Sequence, residues 1–452
     1  MSGQRSTLLF DATQRLLRRG ALNHIKRIIA KTHPADLAHL LARFDAEQQV
    51  QLFGLVAELE ERALLLAELA DEDAAVIIQR IPRSEAAELL KEMDNDDVAD
   101  LMGSLPDQVS AELLDLLNRK DSFEVEGLLR FGEDTAGGIM TPDFVGLPEL
   151  ATVGEAIELV RKNRDVEMAF YVYVLNEHAQ LVGVMSLRQL VISDNDVQLK
   201  DIMEPGVVSV RTDTDQEEVA RLVSRYNLLA LPVVDERNIL LGLVTVDDVI
   251  DVLKEEATED ILKMAGAGQE LMDSDSVRSA IRTRSPWLMI AFIGELVGVA
   301  LITPFGEALQ THHYMAFFIP IIIAMGGSVG TQSATIIVRS LATGHILPHE
   351  VRRAYWRELR VALILGVMYG IFTGVVGFYW SDWSLGFGIA VGLSMLSAMI
   401  IAVTVGALLP LFFAKIKIDP AVSTGPFVTS SVDVLGLLAY FIISSVILSV
   451  MP

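Results

Sequence analysis

The chain has 452 residues, 60 acidic against 36 basic, and no cysteine, so a disulfide framework and a thiolate metal site are both excluded. Its formal charge of −24 lies wholly ahead of Ser285: beyond that point 7 basic residues balance 7 acidic ones, leaving 29 basic and 53 acidic residues before it. An acidic surface of that size repels nucleic acid and attracts cations, so cations and not nucleic acid are the expected partner. The opening MSGQRSTLLFDATQRLLRRG lacks the apolar core and cleavage site of a secretory signal, and the acidic part is expected to stay in the cytoplasm.

Between about residues 30 and 130 the apolar pattern repeats every 12 residues, with Ile77, Leu89, Leu101 and Leu113 in register and Ile78, Leu90, Met102 and Leu114 beside them. Leu40, Leu52 and Leu64 carry the same period towards the N-terminus, and Pro82 and Pro106 fall in equivalent connections. A repeat this short holds one two-turn helix and a tight connection, which predicts a small α-solenoid. Its acidic knot DNDDVADLM contains Asp96, Asp97 and Asp100.

A longer repeat follows. IMTPDFVGLPELATVGEAIELV at 139–160 is similar to IMEPGVVSVRTDTDQEEVARLV at 202–223, and AFYVYVLNEHAQLVGVMSLRQL at 169–190 to LALPVVDERNILLGLVTVDDVI at 229–250. Each copy predicts a helix, two strands joined by a turn, and a helix starting at Ser186 or Thr245; this resembles a tandem pair of CBS domains. The stretch that leads from the second copy stacks Asp248, Asp251, Glu255 and Glu259 at helical spacing, with Asp247, Glu256 and Asp260 beside them. Like charges so placed destabilise a helix unless something neutralises them, and the run reads either as a solvated acidic helix or, with the acidic knot of the solenoid, as a divalent-ion sensor.

The last third predicts five membrane spans near 286–305, 314–338, 361–380, 385–413 and 426–450, each long enough to cross a bilayer. Basic residues flank them only on the side of the acidic part: Arg278, Arg282 and Arg284, then Arg339 to Arg360, then Lys415 and Lys417. The bias places the N-terminus inside and the C-terminus outside. Glycines at 366, 370, 374 and 377 in the third span and 386, 388, 392 and 406 in the fourth suit close backbone packing. Five spans give little wall for a conduction path, which favours a homodimer.

Asp433 stands in the apolar run FVTSSVDVLGLLAYF. A carboxylate at mid-span costs on the order of 3 kcal/mol on insertion scales, which marks it as functional. Pro420, Gly425 and Pro426 break the helix below it, and Thr429, Ser430 and Ser431 add hydroxyl oxygens. Hard oxygens suit a hard divalent cation, and oxygen-only ligands do not exclude Mn2+ or Co2+. Glu295 is a second acid within the spans, lining the path or pairing with a polar group. With no phosphate loop, no HExxH and no nucleophile elbow expected, the chain is not expected to be an enzyme.

Three stretches, AMGGSVGTQSATIIVRSLATGHI at 324–346, DPAVSTGPFVTSSVDV at 419–434 and VTVDDVIDVLKEEATEDI at 244–261, resemble the MgtE family of magnesium channels. The implied fold class is a multidomain membrane protein: an α-solenoid N domain at 1–132, an α/β tandem CBS module at 133–253, a connecting or plug helix at 254–284, and an all-α five-helix transmembrane domain at 285–452. The resemblance implies a homodimer in the bacterial cytoplasmic membrane that admits Mg2+ and closes when internal Mg2+ is plentiful. In it Asp433 looks like the pore carboxylate. Asp248, Asp251, Glu256 and Glu259 match the family's sensor acids, Glu217 and Asp419 match others near that interface, and Asp96, Asp97 and Asp100 occupy the facing region of the solenoid. Ser328 stands where relatives often have Asn, and Asn227 where an acid is possible. Some members bind ATP in the CBS cleft; Tyr171 and Arg188 match contact positions, but Gln189 replaces the acid that usually holds the ribose.

Overall fold

The computed structural model describes residues 3–162, 170–267, 277–342 and 351–451. The chain divides into two compact units, Met1–Leu253 and Lys254–Pro452. The connection at 268–276 and the last four residues of the motif at 324–346 lie outside the described residues.

The first unit begins, among the described residues, with ten helices, α1 (Gly3–Arg18), α2 (Leu22–Ile29), α3 (Pro34–Leu41), α4 (Ala46–Phe53), α5 (Leu59–Ala67), α6 (Asp71–Arg80), α7 (Arg83–Leu90), α8 (Asn95–Gly103), α9 (Asp107–Leu114) and α10 (Arg119–Leu128). The 12-residue period is the reason they are short. Ile77, Leu89, Leu101 and Leu113 are all buried in one core, and Pro82 and Pro106 sit at the N-caps of α7 and α9, where a missing N–H costs nothing. Leu64 departs from the expected register: it is 48% exposed while Leu65 and Leu66 are buried. Five residues separate α4 from α5 but four separate α7 from α8, and the extra residue turns α5 by one position.

The tandem repeat folds as two small sheets. In the first, β1 (Gly146–Pro148) runs parallel to β2 (Tyr171–Leu175), which pairs antiparallel with β3 (Leu181–Ser186) and then β4 (Glu204–Pro205). In the second, β5 (Val210–Arg211) is parallel to β6 (Ala230–Val234), which is antiparallel to β7 (Leu240–Thr245). Helices α11 (Val153–Lys162), α12 (Leu187–Ile192), α13 (Leu199–Ile202) and α14 (Gln216–Tyr226) join them, and α15 (Val246–Met264) follows β7. The copies are tied together, since Thr141 bridges to Leu243 of β7 and Gln180 to Ile239. Ser186 caps α12 as the sequence implies, in a reciprocal box with Gln189. Asn227 closes α14 in the left-handed region at φ 52°, its N–H donating to the Val223 carbonyl. Asn tolerates that conformation, so the residue at this position answers a backbone demand.

In the second unit five helices among the described residues are long and apolar enough to cross a membrane: Val277–Thr311, Met315–Leu341, Arg352–Trp380, Leu385–Lys415 and Pro420–Val450. The first already includes 277–285, ahead of the expected 286, because that Arg-rich stretch is helical without being apolar. The fourth span is the hub, packing on the second, third and fifth through Phe387, Val391, Met395, Ala398, Ala402 and Val403.

Glycine sets the spacing. A Cβ on Gly392 would lie 2.7 Å from the Gly370 carbonyl oxygen, and one on Gly406 would lie 2.4 Å from that of Gly330, so backbones touch at both places. Gly406→Ala should therefore push the fourth span off the second and cost about 1–3 kcal/mol, read as a lower thermal midpoint of the purified chain in detergent.

Candidate functional site

The fifth span forms because Pro426, at its first turn, lacks only an N–H that would be unpaired anyway, and the apolar residues after it favour helix. The Thr429 hydroxyl donates to the carbonyls of Gly425 and Pro426 at 3.1 and 3.3 Å, which caps the break below it. Asp433 follows one turn later, between the first and second spans. Gly294 and Gly298 of the first span abut Ser430 and Val434, while Gly326 and Gly330 of the second abut Val432, and a Cβ on Gly327 would lie 3.8 Å from Asp433 Oδ1. Glu295 of the first span stands beside Asp433, near enough for the carboxyls to interact directly.

Asp433 Oδ1 is buried and accepts no hydrogen bond. A carboxylate oxygen withdrawn from water, with a second carboxyl as its neighbour, lacks positive charge, and a cation is the partner that chemistry calls for. On the second span Ser328, Gln332 and Thr335 form an exposed polar stripe at helical spacing in the single chain. The residues 326–330, GGSVG, do have GxSxG spacing, contrary to the expectation of no such pattern. They lie inside the second-span helix Met315–Ala342, and the Ser328 hydroxyl donates to the Ala324 carbonyl at 2.8 Å, so there is no strand-to-helix elbow and no nucleophile.

The first unit holds a separate acidic face. Helix α8 starts among three aspartates, and its buried residues Val98, Ala99, Leu101 and Met102 turn Asp96 and Asp97 towards α15. Asp96 Oδ1 is buried without a partner. Burial first, then the charges of Asp97, Asp248 and Asp94, push Asp96 well above the usual carboxylate range. Asp97 is pushed up to about 7 by burial and by Asp94, Asp248, Asp100 and Asp71. Asp100 is also raised to about 7, by burial and by Asp71, Asp96, Asp248 and Glu133. Asp248 reaches only about 6: burial raises it, but the Thr245 hydroxyl donates to it at 2.5 Å and holds it down.

The structure thus brings Asp96, Asp97, Asp100 and Asp248 together, with Asp251 one turn along α15. It adds Asp71, at the start of α6, and Glu133, neither of which the sequence singled out. Asp71 opens α6 two repeats before α8, and that 24-residue spacing within a 12-residue period was the signal available. Glu217 lies on the exposed face of α14. Among the described residues no three His, Asp or Glu side chains converge as a ready-made ligand set. An ion held by this face is therefore met through water, or draws the acids together.

In the second unit, Glu259 and Asp419 are brought together by a residue that the sequence reading passed over. Lys263 Nζ lies 2.5 Å from Glu259 and 2.6 Å from Asp419 Oδ2. Glu256 lies on the same helix, one turn before Glu259 and Asp260.

In the repeat, Tyr171 pairs with Ser186, two residues before Arg188; Tyr171 is half-buried with its ring 6.4 Å from that of Tyr173, and Arg188 is exposed. The Gln189 amide is committed, accepting from Ser186 N at 2.8 Å and donating to Glu204 at 2.9 Å.

Most of the chain is similar to known proteins. Residues 319–443 match the family described as MgtE, divalent cation transporter; residues 32–134 match the MgtE intracellular N domain; and residues 136–194 and 199–255 match CBS domains. The chain is 41% identical over 328 residues, 72% of each chain, to the magnesium transporter MgtE of Thermus thermophilus. It is 33% identical to that of Bacillus subtilis over 427 residues, 94% of each chain. A crystal structure of the cytosolic domain of the Mg2+ channel MgtE in complex with ATP superposes with a TM-score of 0.50 at 39% identity, covering 53% of this chain and 98% of that one.

Proposed function

Because this chain belongs to the MgtE family of multi-pass magnesium transporters, we propose that Asp433 is the oxygen group that Mg2+ meets inside the membrane, and that the acidic face of the first unit senses Mg2+ and closes the path. One observation carries the first part: a buried carboxylate oxygen in a membrane span, with no hydrogen-bond partner and with Glu295 at its side.

Mg2+ sheds water reluctantly, so a site that stripped it would release it slowly. Carboxylates meeting its water shell supply the charge that lipid denies the ion and still let it go. The exposed polar stripe Ser328, Gln332 and Thr335 would be costly against lipid, and a second copy forming a water-lined path along the dimer axis would cover it. The homodimer sits in the cytoplasmic membrane with the acidic unit inside, on the side of the basic flanks.

Closure follows from the charge on the acidic face. Asp96, Asp97, Asp100 and Asp248 repel one another when bare, so the packing of α8 on α15 is favoured when divalent ions neutralise them. Asp251, Glu217, Glu256, Glu259 and Asp419 are assigned to the same sensing role. ATP, with Tyr171 and Arg188 as its contacts, would find Gln189, engaged with Ser186 and Glu204, where an acid would hold the ribose.

The test is uptake by the purified chain in liposomes as Mg2+ on the side of the acidic unit is varied. Uptake should be fast without it and fall by at least tenfold at millimolar Mg2+, with Mn2+ and Co2+ competing as alternative cargo. Uptake that ignores Mg2+ on that side would refute the sensing part alone.

A further inference from the structure

The C-terminal end of α15 abuts the entrance of the fifth span. Gly266, in the left-handed region at φ 70°, ends the helix, and a Cβ on it would lie 3.5 Å from Pro426 Cδ and 3.7 Å from Trp287 Cβ. A Cβ on Gly425 would lie 3.3 Å from the Met264 carbonyl oxygen. Trp287 in turn stacks edge-on against Phe427, ring centres 6.4 Å apart. The end of α15 and the first residues of the helix that carries Asp433 are therefore in contact, and at 1.5 Å per residue Asp433 lies roughly 10 Å further along.

Lys263 makes the polar bond across this contact. Its ammonium donates to Asp419 Oδ2 at 2.6 Å, while Asp419 Oδ1 accepts from the Ala421 N–H at 2.8 Å and so caps the turn Pro420–Ser423 that leads into the fifth span. The same ammonium pairs with Glu259 one turn back on its own helix. Among the described residues Asp260 also faces this point, and both oxygens of Asp419 are occupied. A compact ammonium between two carboxylates does the work of a bridging cation without requiring one.

We propose that Lys263 is a built-in cation that favours the seat of the end of α15 against the entrance of the Asp433 helix, a positioning residue that lowers the Mg2+ needed for closure. This rests on the closure reading above. Lys263 biases the contact without completing it, and the ions on the acidic face supply the rest.

The test uses the full chain, with Lys263→Met, Lys263→Gln and Lys263→Arg. Hydrogen exchange at residues 262–267 is followed in chelator, and uptake in liposomes is followed against Mg2+ on the side of the acidic unit. Lys263→Met and Lys263→Gln should each speed exchange there by at least tenfold and raise the Mg2+ needed for half-closure severalfold, while Lys263→Arg matches the parent in both. Parent-like exchange in the Met and Gln variants overturns the proposal. So does a fall in the Mg2+ needed for half-closure, because Lys263 would then be competing with the ion and not standing in for it. If the parent fails to close with Mg2+, the closure reading is lost, and the exchange measurement still decides whether Lys263 holds the contact.

Discussion

Replacing Asp433 by Ala or Asn should reduce Mg2+ uptake in liposomes by roughly ten- to 150-fold while leaving the chain folded. Charge-assisted hydrogen bonds are each worth about 1.5–3 kcal/mol, and a tenfold change corresponds to about 1.4 kcal/mol, so losing the carboxylate's grip on one hydrated ion falls in that range. Folding should be spared because Oδ1 has no protein partner to lose, and Asn nearly preserves the shape that packs beside Gly327. Asp433→Glu keeps the charge but moves it by one methylene, and should retain part of the flux. Glu295→Gln should cost less than Asp433→Asn, since Glu295 is exposed on the first span whereas an Asp433 oxygen is enclosed. Equal flux in the parent and both Asp433 variants would mean that the acid in the fifth span does not serve the passing ion.

The second large effect belongs to the acidic face. The triple variant Asp97→Asn, Asp100→Asn, Asp248→Asn should raise the Mg2+ needed for closure by a factor in the range of about 5–150, the usual span of coupling between sites. It should also remove a pH dependence. Asp97 and Asp100 sit at about 7 and Asp248 at about 6, whereas an unfolded Asp titrates near 3.9. Between about pH 4 and 7 the folded unit therefore holds more protons than the unfolded chain, and its stability falls as pH rises through that window. In chelator the thermal midpoint of the first transition should be lower at pH 8 than at pH 5. Adding Mg2+ at pH 8 should recover most of the difference, and the triple variant should show little difference to recover. A parent midpoint that rises with pH in chelator would contradict the raised proton affinity of this face.

Much of this was legible because periodicity is a strong signal. The 12-residue repeat put Ile77, Leu89, Leu101 and Leu113 in one core, and the repeated copies placed the helix starts at Ser186 and Thr245. Hydropathy found five spans, and Asp433 stood out by contrast with its surroundings. What escaped has specific causes. Leu64 turned outwards because a connection grew by one residue, and no period reports loop length. The helix of the first span takes in Arg282 and Arg284, which are helical but polar and so escape a hydropathy search. Asp71, Glu133 and Lys263 join their sites from distant positions in the chain; Lys263 meets Asp419 across 156 residues, and such pairings depend on packing. Lys263 was also hidden by sign, since a search for acids does not return the lysine that neutralises them. Asn227, an apparent departure from the family's pattern, is explained by its left-handed φ.

The most direct measurement uses hexaamminecobalt(III), which has the size and octahedral shape of hydrated Mg2+ but does not exchange its ligands. If the carboxylate of Asp433 meets the ion through its water shell, this complex should compete with Mg2+ for uptake through the parent, and Asp433→Asn should weaken its inhibition of the residual flux by at least tenfold. Inhibition that is absent in the parent, or equal in the parent and Asp433→Asn, would contradict recognition of the hydrated ion at Asp433.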